Sequence, residues 1–226
     1  KGIGFSVKRG LYEALKLKTD IIIKIDGDGQ HLPEDIPIFL DKINNENFDF
    51  VKGNRFLLKK NLKNMPFKKL LGNLIVTNLQ KLISGNYFIS DPNNGFLAFK
   101  REIFDAIDIE LLQNNYFFEN SLLISASAHN FYIGEVGIDT IYSDEKSSIP
   151  MIRASIKTLP TFLKLLFLKN IISARYNLSI NSILFFLFWP ILLINLIYNL
   201  ISLWVVLVFI VVVYVMVDLL NYFNNK

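Results

Sequence analysis

Residues 20–31 read DIIIKIDGDGQH, and this stretch decides the fold. Asp20 to Asp26 is a short β-branched run with acidic residues only at its ends and Lys24 as its one interior polar residue. A strand buried on both faces of a parallel sheet reads this way, so a parallel α/β sheet is expected. Such a strand delivers Asp26-Gly27-Asp28-Gly29-Gln30-His31 to its C-terminal end, where α/β sheets place their ligands. Two carboxylates separated by one glycine can converge on a cation as the strand gives way to a turn. A metal held by one or two carboxylates, with phosphates completing its shell, is the usual magnesium arrangement.

Rival readings of the same residues are weaker. A calcium-binding EF-hand loop begins similarly, but its fifth, sixth and twelfth positions would be Gln30, His31 and Pro37, which excludes it. An aspartyl-phosphate hydrolase would place a threonine where Gln30 stands. Taken alone, Asp-x-Asp is no better than a solvated acidic turn.

Working outward, Phe5 to Leu17 has helical apolar spacing, and Pro33-Glu34-Asp35 opens a helix to about Ile43, with proline and acids in its first turn. Asp49 to Gly53 reads as a second short strand, Met65 to Ile83 as a longer amphipathic helix and Gly95 to Phe99 as a strand. Arg101 to Ile107 and Tyr116 to His129 read as helices, and Tyr132 to Tyr142 as an extended segment. Alternating helices and strands of these lengths make an α/β unit with right-handed crossovers.

Composition bounds the chemistry. The 226 residues contain no cysteine and two histidines, His31 and His129, so thiolate and histidine-rich metal sites are excluded and any metal is a hard cation on oxygen. The hydrophobic fraction of 52% is high for a soluble domain, and the surplus lies beyond Asn177. From Lys146 to Val217 there is no acidic residue, while Lys146, Arg153, Lys157, Lys164, Lys169 and Arg175 fall there among Leu, Phe and Ile. Anionic lipid headgroups suit this pattern better than nucleic acid, because the cations do not cluster on one polar face.

Arg153 to Tyr176, interrupted by Pro160, is expected to form one or two helices in a membrane interface, with a core-packed helix pair as the alternative. Ile180 to Leu220 is nearly uncharged and about twice as long as one spanning helix needs. Asn195, Asn199 and Ser202 near its middle favour a hairpin of two spans, and one long tilted helix is the alternative. The hairpin returns Lys226 to the basic, cytoplasmic side.

The strand-end residues, DIIIKIDGDGQHLPEDI (20–36), resemble those of family 2 glycosyltransferases, in the branch like dolichyl-phosphate mannose synthase and bacterial polyprenyl-phosphate sugar transferases. The resemblance continues through VKGNRF (51–56), DPNNGFLAFKREIFDAI (91–107), FFENSLLISA (117–126) and IGEVGIDTIYSDEKSSI (133–149), in the family's order, and so covers roughly residues 1 to 150. It implies a glycosyltransferase A-type, Rossmann-like α/β catalytic domain over 1–149, to which the apolar patterning above adds amphipathic interface helices over 150–178 and a transmembrane hairpin over 179–222. KGIGFSVKRGLYEAL resembles a family helix that normally follows two nucleotide-binding strands, so roughly eighty N-terminal residues are expected to be missing.

By the same resemblance Asp26 and Asp28 would hold Mg2+ or Mn2+ on a nucleotide-sugar diphosphate, with Gln30 beside them. Arg55 would reach an acceptor phosphate or lock an aspartate of the metal site, with a structural ion pair as the alternative. Lys8 and Arg9 either approach the donor or lie on a solvated helix face. Asp91 and Glu119 are the candidates for a general base. Many relatives acting on sugar hydroxyls carry Glu-Asp where this chain has Glu119-Asn120, which favours a phosphate acceptor. A loop near the acceptor, with Lys146, Ser147 and Ser148, either holds a lipid phosphate or is plainly exposed. The implied enzyme is an inverting hexosyltransferase. It would move sugar from a UDP- or GDP-sugar to polyprenyl phosphate, as an integral membrane protein with its catalytic domain cytoplasmic. A polysaccharide or lipid-linked sugar acceptor is the alternative, weakened because no Gln-x-x-Arg-Trp motif occurs, and a membrane-anchored non-catalytic binding subunit is a third reading.

Overall fold

The computed structural model describes residues 2–58, 67–141 and 151–177, and scattered positions between 183 and 216. Its elements are α1 (Ile3–Lys16), β1 (Ile21–Lys24), α2 (Ile36–Asn45), β2 (Phe50–Asn54), α3 (Phe67–Ser84), β3 (Leu97–Lys100), α4 (Arg101–Ala106), α5 (Phe118–Ala128), β4 (Ile133–Gly137) and α6 (Met151–Asn177). Each falls within or close to a segment the apolar periodicity marks. Pro33 starts a short 3-10 turn (Pro33–Asp35) that leads into α2, where its fixed φ and missing N–H cost nothing.

The four strands form one sheet in the order β1-β3-β2-β4. The sheet is mixed, which corrects the expectation of a parallel one. β3 runs antiparallel to both β1 and β2, and only β2 and β4 pair parallel. An apolar run reports burial on both faces, but it carries no information about the direction of the neighbouring strand. β1 is also the end strand of the described sheet, and only Ile22 of its four residues is buried.

Side chains alternate across the sheet. Ile22, Phe50, Leu97 and Phe99 pack with Leu11, Ile103, Phe104, Phe118 and Leu122 on the face covered by α1, α4 and α5. Val51 and Ala98 join Phe39, Ile43, Phe96 and Ile138 under α2. Phe39 and Phe96 stack there at 4.3 Å, and burying each such ring contributes about 1.5–3 kcal/mol.

A third cluster, Ile83, Phe117, Ile124, Phe162 and Leu165, joins α3, α5 and α6. α6 is one continuous helix through Pro160, not two. Pro160 is exposed, so water can satisfy the carbonyl that its ring leaves unbonded. One face of α6 docks on the domain, while Leu163, Phe167 and Ile171 on the helix are exposed. Phe185 packs edge-on against Phe167, and the Tyr214 hydroxyl accepts from Lys169 Nζ (3.2 Å) and Asn170 Nδ2 (3.3 Å). The hairpin expected over 179–222 is not seen among the described residues, where no helix is long and apolar enough to cross a membrane. Most of 178–226, and the loop 142–150 with Lys146, Ser147 and Ser148, lie outside them.

Candidate active site

Register brings a row of charged side chains to one end of the sheet. Leu97 pairs with Lys24 on one side and with Lys52 on the other, and Lys52 pairs with Glu135. Directly opposed residues share a face, so Lys24, Lys52 and Glu135 all point toward α5, which contributes Glu119.

Lys24 Nζ lies 2.6 Å from Asp26 Oδ1 and 2.6 Å from Glu119 Oε1, so one ammonium bridges the strand end to the acidic helix. Burial works against the lysine's charge, but the attraction of Glu119 and the hydrogen bond and charge of Asp26 outweigh it and raise its pKa. Asp26 rests on Gly95. A Cβ at position 95 would overlap the Asp26 carboxylate, so any other residue there would push this side chain from its place.

Asp28 is exposed in the following turn, where its Oδ1 accepts the Gln30 backbone N–H at 3.0 Å. Gly29 between them has φ +73°, a left-handed conformation that glycine takes without strain. The Gln30 carbonyl accepts from Ile141 N (3.0 Å) and His31 bridges to Thr140, so the turn is tied to the chain after β4. Burial lowers the pKa of His31, against the pull of Asp26 and Asp28, and its ring stands edge-on to Phe96.

The loop 90–95 forms the floor. Arg55 grips Asp91 through Nε and Nη2, both at 2.7 Å, and Asp91 Oδ2 also accepts the Arg55 backbone N–H. The aspartate that Arg55 holds is therefore Asp91 and not one of the Asp26–Asp28 pair. Glu135 accepts from the backbone of Ser90 (2.6 Å) and Asp91 (3.0 Å), and from Asn54 Nδ2 (2.6 Å). Burial pushes the Glu135 carboxyl up, partly offset by these bonds. Lys52, fully buried, donates to the Asn94 carbonyl at 2.6 Å, and burial pulls its pKa down to about 8.

The sequence candidates thus divide. Asp26 and Glu119 are joined through Lys24, and Asp91 and Arg55 are joined directly. Lys8 is buried beside residues 109–111, its amine donating to the Glu110 carbonyl at 3.4 Å, and Arg9 is exposed on α1. Sequence reasoning missed Lys24, Lys52, Gly95 and Glu135. The available signal was two lysines inside short β-branched strands, since a buried ammonium requires an acceptor.

A divalent cation fits Asp26 and Asp28 by chemistry. Both are hard oxygen donors at a strand end, and the hydrogen bonds above use only Oδ1 of each. Among the described residues no group of three His, Cys, Asp or Glu side chains could hold a metal, so other oxygen ligands, such as phosphate and water, would complete its shell.

Residues 9–108 match the family described as Glycosyl transferase family 2, and the chain carries a domain of that family. It is 35% identical over 144 residues to the UDP-N-acetylglucosamine--dolichyl-phosphate N-acetylglucosaminyltransferase of Methanococcus voltae, covering 64% of this chain and 57% of that protein. It is 25% identical over 138 residues to the polyprenol monophosphomannose synthase of Mycolicibacterium smegmatis, covering 61% and 51%. The chain therefore spans little more than half the length of these relatives. The fold is also similar to that of glucosyl-3-phosphoglycerate synthase from Mycobacterium tuberculosis, solved with Mn2+, UDP-glucose and phosphoglyceric acid. That match has a TM-score of 0.51 at 17% identity and covers 74% of this chain and 55% of the other. The architecture is accordingly the mixed α/β, glycosyltransferase A-like fold.

Proposed function

We propose that this chain is the catalytic part of a metal-dependent, inverting glycosyltransferase that moves a hexose from a UDP- or GDP-sugar to a polyprenyl phosphate at the cytoplasmic membrane face. The observation that carries the reading is Asp26 with Asp28 at the strand end, the former seated on Gly95 and linked through Lys24 to Glu119, within a family 2 domain. Two relatives whose names specify dolichyl phosphate or a polyprenol phosphosugar support the acceptor class.

In the reaction an acceptor phosphate oxygen attacks the sugar C1 from the face opposite the diphosphate. The C1–O bond breaks and the anomeric configuration inverts. Asp26 and Asp28 would hold Mg2+ or Mn2+, which supplies positive charge for the departing nucleoside diphosphate. The protein's own groups suit an acceptor that is already ionised. Asp91 is buried with both oxygens on Arg55, and Glu119 gives an oxygen to Lys24, so neither is placed to take a proton from a sugar hydroxyl. A phosphate monoester needs no such step at neutral pH.

Membrane attachment is part of the reading. The acid-free basic stretch, the nearly uncharged residues 180–220 and the exposed Ile191, Val208 and Phe209 support contact with lipid by a hairpin over 179–222. The test is to incubate a full-length protein with labelled UDP- and GDP-sugars, polyprenyl phosphate and Mn2+, and to look for an organic-soluble sugar-lipid. Absence of product from every donor, or full activity in Asp28→Ala, would sink the proposal.

A further inference from the structure

Lys24 stands inside a strand, and the reaction as written above gives it no role. Its ammonium fills the gap between Asp26 and Glu119, 2.6 Å from each, and its side chain is only 11% exposed. Lys24 ends β1 and Asp26 follows it by two residues, and α5 brings Glu119 to the same ammonium. A lysine so held does two things. It fixes the direction of the Asp26 carboxylate, engaging Oδ1, and it offsets the negative charge of Asp26 and Glu119.

We propose that Lys24 is a positioning residue and built-in cation that keeps a divalent metal from binding tightly until the donor's diphosphate arrives. The inference rests on the metal-diphosphate reading above. Without Lys24 the Asp26 and Glu119 carboxylates, now bridged by one ammonium, would face each other with no cation between them and would attract a divalent ion more strongly. With Lys24 between them, part of the charge that Asp26 could offer a metal is already neutralised, and among the described residues no group of three His, Cys, Asp or Glu side chains could hold the ion unaided. The ion then depends on phosphate oxygens for charge as well as for ligands, so metal and donor enter the site together.

Removing the lysine has two opposed effects. Asp26 gains rotamer freedom, which weakens metal binding a few-fold, but a unit charge a few ångströms from a doubly charged ion also disappears, which strengthens binding about tenfold or more. The charge effect is the larger.

The test is a Mn2+ titration of the full-length protein, with free Mn2+ followed by electron paramagnetic resonance, alone and with UDP or GDP. The parent should bind Mn2+ weakly alone and much more tightly with nucleotide. Lys24→Met should bind Mn2+ alone about tenfold more tightly and lose most of the nucleotide enhancement. Lys24→Arg, which keeps the charge, should behave as the parent. Glu119→Gln leaves the ammonium to Asp26 alone and should weaken Mn2+ binding with and without nucleotide, which keeps the proposal testable should Lys24→Met fold poorly. Mn2+ affinity no higher in Lys24→Met, or unchanged in Glu119→Gln, overturns the proposal and leaves the functional reading intact. A parent that takes up no Mn2+ with either nucleotide overturns the functional reading, and this inference with it.

Discussion

Arg55→Ala separates two roles that the sequence leaves open for this arginine. Its guanidinium makes two 2.7 Å bonds to Asp91, and the two side chains are 8% and 1% exposed. Truncation strands a fully buried carboxylate with one good donor, the backbone N–H of residue 55 at 3.1 Å, and a long contact to the Asn94 amide at 3.5 Å. Removing one partner of a buried pair typically costs about 3–5 kcal/mol, because the desolvation of the other charge is no longer offset. In a chain of this size each kcal/mol lowers the melting midpoint by about 2–4 °C, so a fall on the order of 6–20 °C is expected. Thermal unfolding of the full-length protein in detergent, followed by far-UV circular dichroism, measures it. Arg55→Leu with Asp91→Leu should recover much of the loss, since no charge is left behind. If Arg55→Ala melts within about 2 °C of the parent while product formation collapses, the charge serves a ligand and not the floor loop, and the reasoning is refuted.

Three further outcomes are expected. Gly95→Ala forces the Asp26 carboxylate off its seat, so turnover should fall on the order of a hundredfold, and an unchanged kcat/KM in the sugar-lipid assay would contradict the packing. Asp28→Asn, at an exposed turn with one local hydrogen bond, should abolish Mn2+-dependent product formation while shifting the melting midpoint by less than about 2 °C. Lys52 has its pKa lowered from 10.5 to about 8, so between those values the unfolded chain holds a proton that the folded chain has released. Stability of the parent therefore rises with pH across this window, by at most about 3 kcal/mol, relative to Lys52→Met. Urea midpoints of the two proteins at pH 7.5 and pH 10 check it, and parallel pH profiles would count against a strongly depressed lysine.

Much of the fold was legible because helix and strand periods are local. The strand at Ile21–Lys24, the proline-led start of α2 and the long α3 all follow from spacing and end signals. Strand direction was not legible. β3 follows the DPNNG loop, and whether it runs with or against β1 depends on how residues 85–96 return from α3, which no apolar run encodes. The continuity of α6 through Pro160 was equally hidden, since it depends on which side of the helix the domain covers.

The site shows the same division between local and remote causes. Asp26 and Asp28 could be read from a strand ending in Asp-Gly-Asp, because the strand and turn that present them are local, although the Gly95 seat of Asp26 is not. Lys24 announces in sequence that it needs an anion, but Glu119 lies 95 positions away, and Asn94, which satisfies Lys52, lies 42 away. Asp91 shows what sequence reasoning could not see: a carboxylate in a glycine-containing loop carries no sign of its burial or of the Arg55 that holds it. The electrostatics follow from this arrangement. Lys24 and Lys52 are aligned because both pair with Leu97 of β3, and Lys52 in turn pairs directly with Glu135 of β4. Without β3 between them, β1 and β2 would share no register, and Lys24 would not be aligned with Lys52 and Glu135. The antiparallel β3 that the sequence did not reveal is therefore what registers the charged row on which the candidate chemistry depends.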